Sequence, residues 1–316
     1  MSKKPMIVLT GPTAVGKTAL SIDLAKKING AIISADSMQV YKYMDIGSAK
    51  ITKEEMQGID HYLIDELMPE DEFNIVKFQK MAKEALDKIY SKGQIPIITG
   101  GTGFYIQGLL YDIDFEAQNQ NDSIRKELEV FAEEKGAHQL HELLKDIDQV
   151  SYDTIHENNV KRVIRAIEFY RISGYPISEH NQQEKQKESP YNFAYFVLND
   201  DRENLYNRID KRVDIMVKQG LVEEVRRLHE MGYSKEMVSM QGLGYKEILR
   251  SFEGEYSIEE AIDIIKRETR RFAKRQLTWF RREKEVIWIN KNEYNYSDDL
   301  IIDEMEKILL DKGIIE

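Results

Sequence analysis

The chain has 316 residues, a formal net charge of −11 and 41% hydrophobic residues, enough for a substantial core and for two domains of ordinary size. It has no cysteine, which excludes disulfides and cysteine-ligated zinc or iron–sulfur sites, so a metal would need oxygen or histidine ligands. No apolar run approaches the roughly 20 residues of a membrane span, and we expect a cytoplasmic protein. The acidic balance argues against uniform coating of nucleic acid, but it allows a local basic patch.

The first third of the chain alternates short apolar runs with helical spacing. Met6 to Thr10 is an apolar run that ends at a glycine-rich turn and precedes a helical pattern. Residues 31–34 and 95–99 are the next predicted strands, and residues 73–90 between them have helical spacing. This alternation predicts an α/β protein with a parallel sheet and flanking helices, whose ligands bind where the carboxyl ends of the strands open onto loops.

Residues 115–190 have a different character, because helical patterns dominate and no clear strand is present. Apolar runs at 193–198 and 286–289 then restore strands, with long helices between them. We therefore predict a core of residues 1–114 and 191–316, interrupted by an all-helical insertion of residues 115–190.

Residues 11–18, GPTAVGKT, match the phosphate-binding pattern GxxxxGK[ST] between a predicted strand and a predicted helix. Backbone N–H groups of such a loop converge on phosphate oxygens, the lysine adds positive charge, and the last hydroxyl binds magnesium. The predicted phosphate-binding residues are Gly11, Pro12, Thr13, Ala14, Val15, Gly16, Lys17 and Thr18, with Thr18 as the ligand of Mg²⁺. A nucleoside kinase or an NTPase, either of which would bind ATP, is the ordinary interpretation of this loop.

Polar residues also follow the other two strands, in SADSMQVY (34–41) and GGTGFY (100–105). Taken singly, Asp36 and Ser37 could cap a helix, and Thr102 could belong to a tight turn. An NTPase would usually place a magnesium-binding acid at a strand end, and Asp36 is the acid in that position. Because all three motifs end neighbouring predicted strands, we expect one shared crevice, with Asp36 either near magnesium or acting as a base towards an acceptor.

Seven segments in chain order resemble the tRNA dimethylallyltransferase family: GPTAVGKT, DSMQVYKYMDIGSAK, GGTGFY, KRVIRAIE, NRIDKRVDIMVKQGLVEEV, QGLGYKE and TRRFAKRQLTWFRR. These enzymes transfer a five-carbon isoprenoid from dimethylallyl diphosphate to the N6 amine of adenine 37, next to the anticodon of tRNA. The chain is most similar to the bacterial form, since eukaryotic members carry a zinc finger that a chain without cysteine cannot build. The resemblance implies a P-loop NTPase-like fold whose loop and Mg²⁺ bind a diphosphate leaving group.

The resemblance also implies roles for individual residues. Asp36 is the expected general base, Thr102 is expected to hold the adenine, and Lys17 is expected to stabilise the leaving diphosphate. Arg208 and Arg212, which are spaced i, i+4, are expected to bind the diphosphate from one helix face, although a solvated, ion-paired face is the alternative. The tRNA side of the crevice is expected to include Asp36, Ser37, Met38, Gln39 and Thr102.

The helical pattern around residues 267–282 predicts a basic stripe. At 100° per residue its seven cations fall within an arc of about 140°, opposite a mostly apolar face that includes Gln276. Such a stripe on an acidic chain predicts a surface that follows tRNA phosphates, with Arg271, Lys274 and Arg275 as contacts. A surface helix salt-bridged to acidic residues is the alternative.

In the insertion, KRVIR (161–165) would otherwise be an unremarkable amphipathic helix with Val163 and Ile164 facing inward. The resemblance makes this segment an expected tRNA contact, through Lys161, Arg162, Val163, Ile164 and Arg165, with Arg125 as a further contact. The expected partners are therefore a tRNA anticodon stem-loop and dimethylallyl diphosphate, for a monomer without a membrane. A small-molecule kinase and a non-catalytic RNA-binding protein remain as alternatives.

Overall fold

The computed structural model describes residues 3–115 and 122–316, and six strands in these ranges form one sheet. The strands are β1 (Lys4–Thr10), β2 (Gly30–Ser34), β3 (His61–Tyr62), β4 (Ile95–Gly100), β5 (Tyr191–Asn199) and β6 (Val286–Asn290). Their order is β3-β2-β4-β1-β5-β6, and every neighbouring pair is parallel. The predicted parallel α/β sheet is confirmed. Sequence patterns missed β3, because two residues form no recognisable apolar run.

Helices occupy most of the remaining described chain. In chain order they are α1 (Lys17–Lys27), α2 (Ile75–Ser91), α3 (Gly103–Leu110), α4 (Asp122–Lys135), α5 (Ala137–Glu142), α6 (Gln149–Thr154), α7 (Val160–Ser173), α8 (Ile177–Glu184), α9 (Arg202–Lys218), α10 (Leu221–Glu230), α11 (Tyr245–Phe252), α12 (Ile258–Phe280) and α13 (Asp298–Asp311). Short 3₁₀ turns occur at Ser239–Gln241 and Lys291–Tyr294. Helices of the described ranges do not combine the length and apolar character that crossing a membrane requires.

The chain divides into two compact units, one of Met1–Leu110 with Pro190–Glu316 and the other of Tyr111–Ser189. The sequence-based division places the insertion at 115–190. The second unit contains α4 to α8, and no strand occurs among its described residues. Its core is built from leucines of α4 and α5 and from the inward face of α7, including Val163 and Ile164.

The core of the first unit surrounds β1, which is hydrogen-bonded to β4 on one edge and to β5 on the other. Ile7 and Leu9 on one face of β1 belong to a cluster with Leu20 of α1 and Met305 of α13. Because a central parallel strand is covered on both faces, it appears in the sequence as a continuous apolar run.

The strand order also positions the loops. β2, β4 and β1 are adjacent, and their register pairs Ser34 with Thr99 and Thr10 with Gly100. The three loops that follow these strands therefore start side by side at one edge of the sheet, which is where ligands of such sheets bind.

Candidate active site

The loops after β2 and β4 are joined by backbone contacts around Ala35. Its N–H donates to the carbonyl of Thr99 at 2.7 Å, and the N–H of Thr102 donates to the carbonyl of Ala35 at 3.2 Å. Residue 100 must be glycine for this approach, because a Cβ there would lie 2.3 Å from the Ala35 oxygen. These contacts hold the loop of Asp36 against the loop of Thr102.

A cavity of about 410 Å³ opens where these loops meet the phosphate loop. Its walls include seven of the predicted site residues: Thr13, Asp36, Ser37, Met38, Thr102, Arg212 and Arg275. Apolar side chains such as Phe73, Ile209 and Met216 complete the wall. The cavity therefore offers both charged groups and an apolar surface to a ligand.

Asp36 is half-buried and is oriented by its own loop. One carboxylate oxygen, Oδ1, accepts a hydrogen bond from the N–H of Met38 at 2.8 Å, an arrangement that holds the side chain over the turn. Gln39, in contrast, bonds within the loop region, since it accepts from the Ser34 hydroxyl at 3.1 Å and donates to the Ala49 carbonyl at 3.3 Å. Of the predicted tRNA-side residues in this loop, Gln39 is the one outside the cavity wall.

Lys17 lies inside the phosphate loop, where its ammonium donates to the carbonyls of Gly11 and Pro12, both at 2.9 Å. Burial lowers the pKa of Lys17 to about 7, the positive charge of Arg212 acts in the same direction, and Asp36 opposes both. A bound anion would raise this pKa again, so Lys17 responds to the charge of whatever the loop holds.

The two predicted arginines of α9 occupy different positions. Arg208 is exposed, and its Nε donates to the carbonyl of Ala14 in the phosphate loop at 2.8 Å. Arg212 lines the cavity, and burial lowers the pKa of its guanidinium while Asp36 raises it. Both therefore lie beside the phosphate loop, and Arg212 is the one that faces the cavity of Asp36.

Gln276 of α12 links the phosphate loop to the loop after β4. Its Oε1 accepts from the N–H of Thr13 at 2.9 Å, and its Nε2 donates to the carbonyl of Gly101 at 3.0 Å. A Cβ at residue 101 would lie 2.1 Å from Nε2, so a larger residue there would displace the amide of Gln276. Sequence analysis placed Gln276 on an apolar face; a polar residue on such a face is the signal that could have identified it.

Glu224 of α10 is a second link that sequence analysis missed. It is 1% exposed, and its carboxylate accepts from the N–H groups of Asp45, Ile46 and Gly47 at 2.8–3.0 Å and from the Tyr245 hydroxyl at 2.8 Å. Gly47 lines the cavity, so Glu224 fixes one part of the cavity wall.

Five of the seven cations of the predicted basic stripe lie on α12, which ends at Phe280 before Arg281 and Arg282, and several of the five are paired. Arg270 bonds to Asp210, and Arg267 and Arg271 bond to Glu268 at 3.3 and 2.7 Å. Lys274 and Arg275 are exposed, and Arg275 lies over the ring of Phe272 at 5.7 Å. The salt-bridged alternative therefore describes the first half of the stripe, and Lys274 and Arg275 lie further along the helix.

In the insertion, part of the segment predicted to contact tRNA is buried. Val163 and Ile164 are 0% and 4% exposed within the core of this unit, so their side chains are not available to RNA. Arg125 and Arg165 bond to the buried carboxylate of Glu168 at 2.8 and 3.2 Å. The segment's exposed cations are Lys161 and Arg162.

Potential metal ligands are sparse. Among the described residues, no group of three or more histidine, cysteine or acidic side chains is arranged to hold a metal ion. Thr18 is exposed at the first turn of α1, with its hydroxyl in the position that binds magnesium in phosphate loops. A single hydroxyl ligand from the protein fits a magnesium ion that is held mainly by the phosphate oxygens of a bound ligand.

A parallel sheet with a GxxxxGKT loop between its central strand and α1 defines the chain as a P-loop α/β protein. The family described as IPP transferase matches residues 39–283. A relative from Lachnoclostridium phytofermentans, named tRNA dimethylallyltransferase, is 61% identical over 99% of this chain and 100% of its own length. The chain belongs to this IPP transferase family.

Solved structures are similar over nearly the full chain. The full-length tRNA isopentenylpyrophosphate transferase from Bacillus halodurans is 40% identical, with a TM-score of 0.74 and coverage of 98% of both chains. A eukaryotic dimethylallyltransferase acting on tRNA is 30% identical, with a TM-score of 0.80 and coverage of 91% of this chain and 74% of that one. The predicted family, its bacterial type, the P-loop NTPase-like fold and the assignment as a transferase are confirmed.

Proposed function

We propose that the chain transfers the dimethylallyl group from dimethylallyl diphosphate to N6 of adenine 37 in tRNA, giving N6-dimethylallyladenosine. The observation that carries this proposal is the cavity in which Asp36 and Thr102 stand beside the phosphate loop and an apolar wall. A diphosphate with a short hydrocarbon chain requires both kinds of surface. Because β2, β4 and β1 are adjacent, the loops that follow them would hold the phosphate end of this substrate beside the proposed base.

The proposed reaction exchanges a C–O bond for a C–N bond. The N6 lone pair attacks C1 of the dimethylallyl group, the bond from C1 to the diphosphate oxygen breaks with its electron pair, and the amine proton passes to the Asp36 carboxylate. The hydroxyl of Thr102, on the neighbouring loop, would hydrogen-bond the adenine and keep the amine in line with C1. Asp36 is held for this role by the N–H of Met38 at 2.8 Å.

Charge that collects on the departing diphosphate needs fixed donors. Thr13 of the phosphate loop and Arg212 line the cavity, and the charges of Arg212 and Asp36 act on Lys17. The loop N–H groups, the ammonium of Lys17 and the guanidinium of Arg212 would supply these donors. Thr18 and the diphosphate oxygens would hold Mg²⁺, which adds positive charge at the leaving group when bound.

The tRNA would reach this cavity from a single-stranded anticodon loop, in which the target adenine is cheaper to turn out of its stack than in a duplex. Ser37 and Met38 in the cavity wall, with exposed Lys274 and Arg275 of α12, are the proposed contacts in the first unit. Exposed Lys161 and Arg162 are the proposed contacts of the insertion. We place the reaction in the cytoplasm, where tRNA is found, and assign it to a monomer.

The transfer is tested with Mg²⁺, labelled dimethylallyl diphosphate and an anticodon stem-loop that carries adenine 3′ to the anticodon. We expect label in this RNA and none in a matched stem-loop with guanine at that position, which lacks an N6 amine. If no label enters the RNA while ATP is consumed on a small acceptor, the chain is a kinase and the proposal is wrong.

The role of Asp36 is tested by Asp36→Asn. The amide oxygen can still accept from the Met38 N–H, so the loop should keep its shape. Because an amide cannot take the amine proton, turnover should fall by at least about 100-fold. tRNA affinity, measured by filter binding, should stay close to that of the wild type. A parallel loss of tRNA affinity would make Asp36 a structural residue instead.

A further inference from the structure

A second lysine lies against the phosphate loop, far away in the sequence. The Nζ of Lys291 lies 3.2 Å from the point where a Cβ of Gly16 would stand, and Nη2 of Arg208 lies 3.4 Å from the same point. Gly16 directly precedes Lys17 and the first turn of α1. Two cationic groups therefore lie next to the second glycine of the loop.

Lys291 is buried, with 5% of its surface exposed. It follows β6 directly, and its ammonium bonds to Oδ1 of Asp298 at 3.0 Å. Arg208, beside it, has the carbonyl of Ala14 as its bonded acceptor. Within the described part of the chain, Lys291 is thus paired with one carboxylate and Arg208 is bonded to a neutral carbonyl, an excess of positive charge that favours an anionic ligand.

The cations around the loop fall into two groups. Arg212 lines the cavity that contains Asp36, and its charge is felt by Lys17. Lys291 and Arg208 are not part of the cavity wall and lie instead on the Gly16 side of the loop. A diphosphate ester also has two distinguishable ends, because only one of its phosphoryl groups carries the carbon that reacts.

We infer that Lys291, together with Arg208, binds the terminal phosphate of the diphosphate, the one that does not carry the prenyl group. This inference rests on the proposed function, since the carbon that reacts must face Asp36 and the terminal phosphate then lies away from it. An ammonium has three N–H donors, and Asp298 accepts one of them. Two remain for phosphate oxygens.

A purely structural role is the alternative, in which Lys291 serves only to join the turn after β6 to the start of α13 through Asp298. The two roles make opposite demands on Asp298. If the ion pair is what matters, Asp298→Asn should be as harmful as loss of the lysine. If Lys291 binds phosphate, removing its competing carboxylate should leave diphosphate affinity unchanged or improve it.

The test measures the affinity of the full chain for inorganic pyrophosphate and for dimethylallyl monophosphate by calorimetry. The variants are Lys291→Gln, Lys291→Met, which keeps the length of the buried chain, Lys291→Arg and Asp298→Asn. Lys307→Gln, at an exposed lysine of α13, is the matched control. Thermal unfolding of each variant establishes that it is folded.

We expect both neutral variants to bind pyrophosphate about tenfold or more weakly, as for loss of a charged hydrogen bond, and to bind the monophosphate like the wild type. Lys291→Arg should retain most of the pyrophosphate affinity, and Asp298→Asn and Lys307→Gln should lose none. Wild-type pyrophosphate affinity in the neutral variants, or an equal loss in Asp298→Asn, would overturn the inference. A wild-type chain that binds pyrophosphate through Lys291 yet transfers no prenyl group to RNA would overturn the proposed function alone.

Discussion

Lys17 is the residue whose protonation should depend most on what the phosphate loop holds. Burial brings its pKa to about 7, so the free loop carries a neutral amine above that pH. A bound diphosphate favours the charged form and raises the pKa, and binding above pH 7 therefore takes up a proton. Below pH 7 the lysine is already charged and binding needs no uptake.

We therefore expect diphosphate affinity to weaken as the pH rises from 7 to 9, by up to about tenfold per unit. Calorimetric titration at several pH values in buffers of different ionisation enthalpy would report both the affinity and the proton uptake. Lys17→Arg stays charged and should lose this dependence, while titration of the ligand itself is common to both proteins. Equal slopes for the two proteins would contradict the role of Lys17.

At the scale of elements, α12 holds two loops of the site at once. Gln276 bonds to Thr13 of the phosphate loop and to Gly101 of the loop after β4, from a position that is 6% exposed. The distance between these loops is therefore set by a helix that belongs to neither of them. Glu224 of α10 likewise fixes a distant segment, because its carboxylate accepts hydrogen bonds from the N–H groups of Asp45 to Gly47.

Gln276→Leu should separate these two loops while keeping an apolar packing surface. It leaves the N–H of Thr13 and the carbonyl of Gly101 without their partner, and we expect the free energy of unfolding to fall by about 1–3 kcal/mol. kcat/KM for dimethylallyl diphosphate should fall as well, because Thr13 lines the cavity. Urea unfolding and steady-state kinetics measure the two effects.

The matched control is Thr278→Ala, two residues further along α12, where the hydroxyl is exposed and donates to the carbonyl of Lys274 within the same helix. This variant should resemble the wild type in both measurements. If Gln276→Leu also left the free energy of unfolding and kcat/KM unchanged, the contacts of Gln276 would not position the phosphate loop.

At the scale of the whole molecule, a chain with a net negative charge has to bind tRNA, which is itself strongly negative. The net charge is −11, so tRNA binding depends on where positive charge is concentrated. Acidic neighbours partly neutralise the first half of the α12 stripe, through Asp210 and Glu268. Lys274 and Arg275 are exposed beyond these pairs.

Charge reversal at both Lys274 and Arg275 should weaken tRNA binding and lower the slope of log K against log salt by about one to two. Lys80→Glu combined with Lys88→Glu, at two exposed positions of α2, makes the same change in net charge and should leave the slope unchanged. Binding is measured by filter retention over a series of salt concentrations, without dimethylallyl diphosphate. An unchanged slope for the double variant would remove these cations from the interface.

Features that depend on neighbours in the sequence were predictable from it. Apolar runs identified five of the six strands in the described ranges, since buried parallel strands are apolar on both faces. The phosphate loop was recognisable because its N–H groups converge through the geometry of eight consecutive residues. Polar residues after three such strands also indicated a shared crevice, because strand ends in a parallel sheet share one edge.

What the sequence by itself determined is the class of fold, the phosphate loop and, through its motifs, the family. Only the tertiary structure revealed that Gln276, Glu224 and Lys291 lie against loops 175 or more residues away in the sequence. It also showed that Val163 and Ile164 lie in the core of the insertion. The physical reason is that a hydrogen bond or an ion pair depends on distance in space. No periodicity along the chain records which distant carbonyl or glycine a side chain will meet.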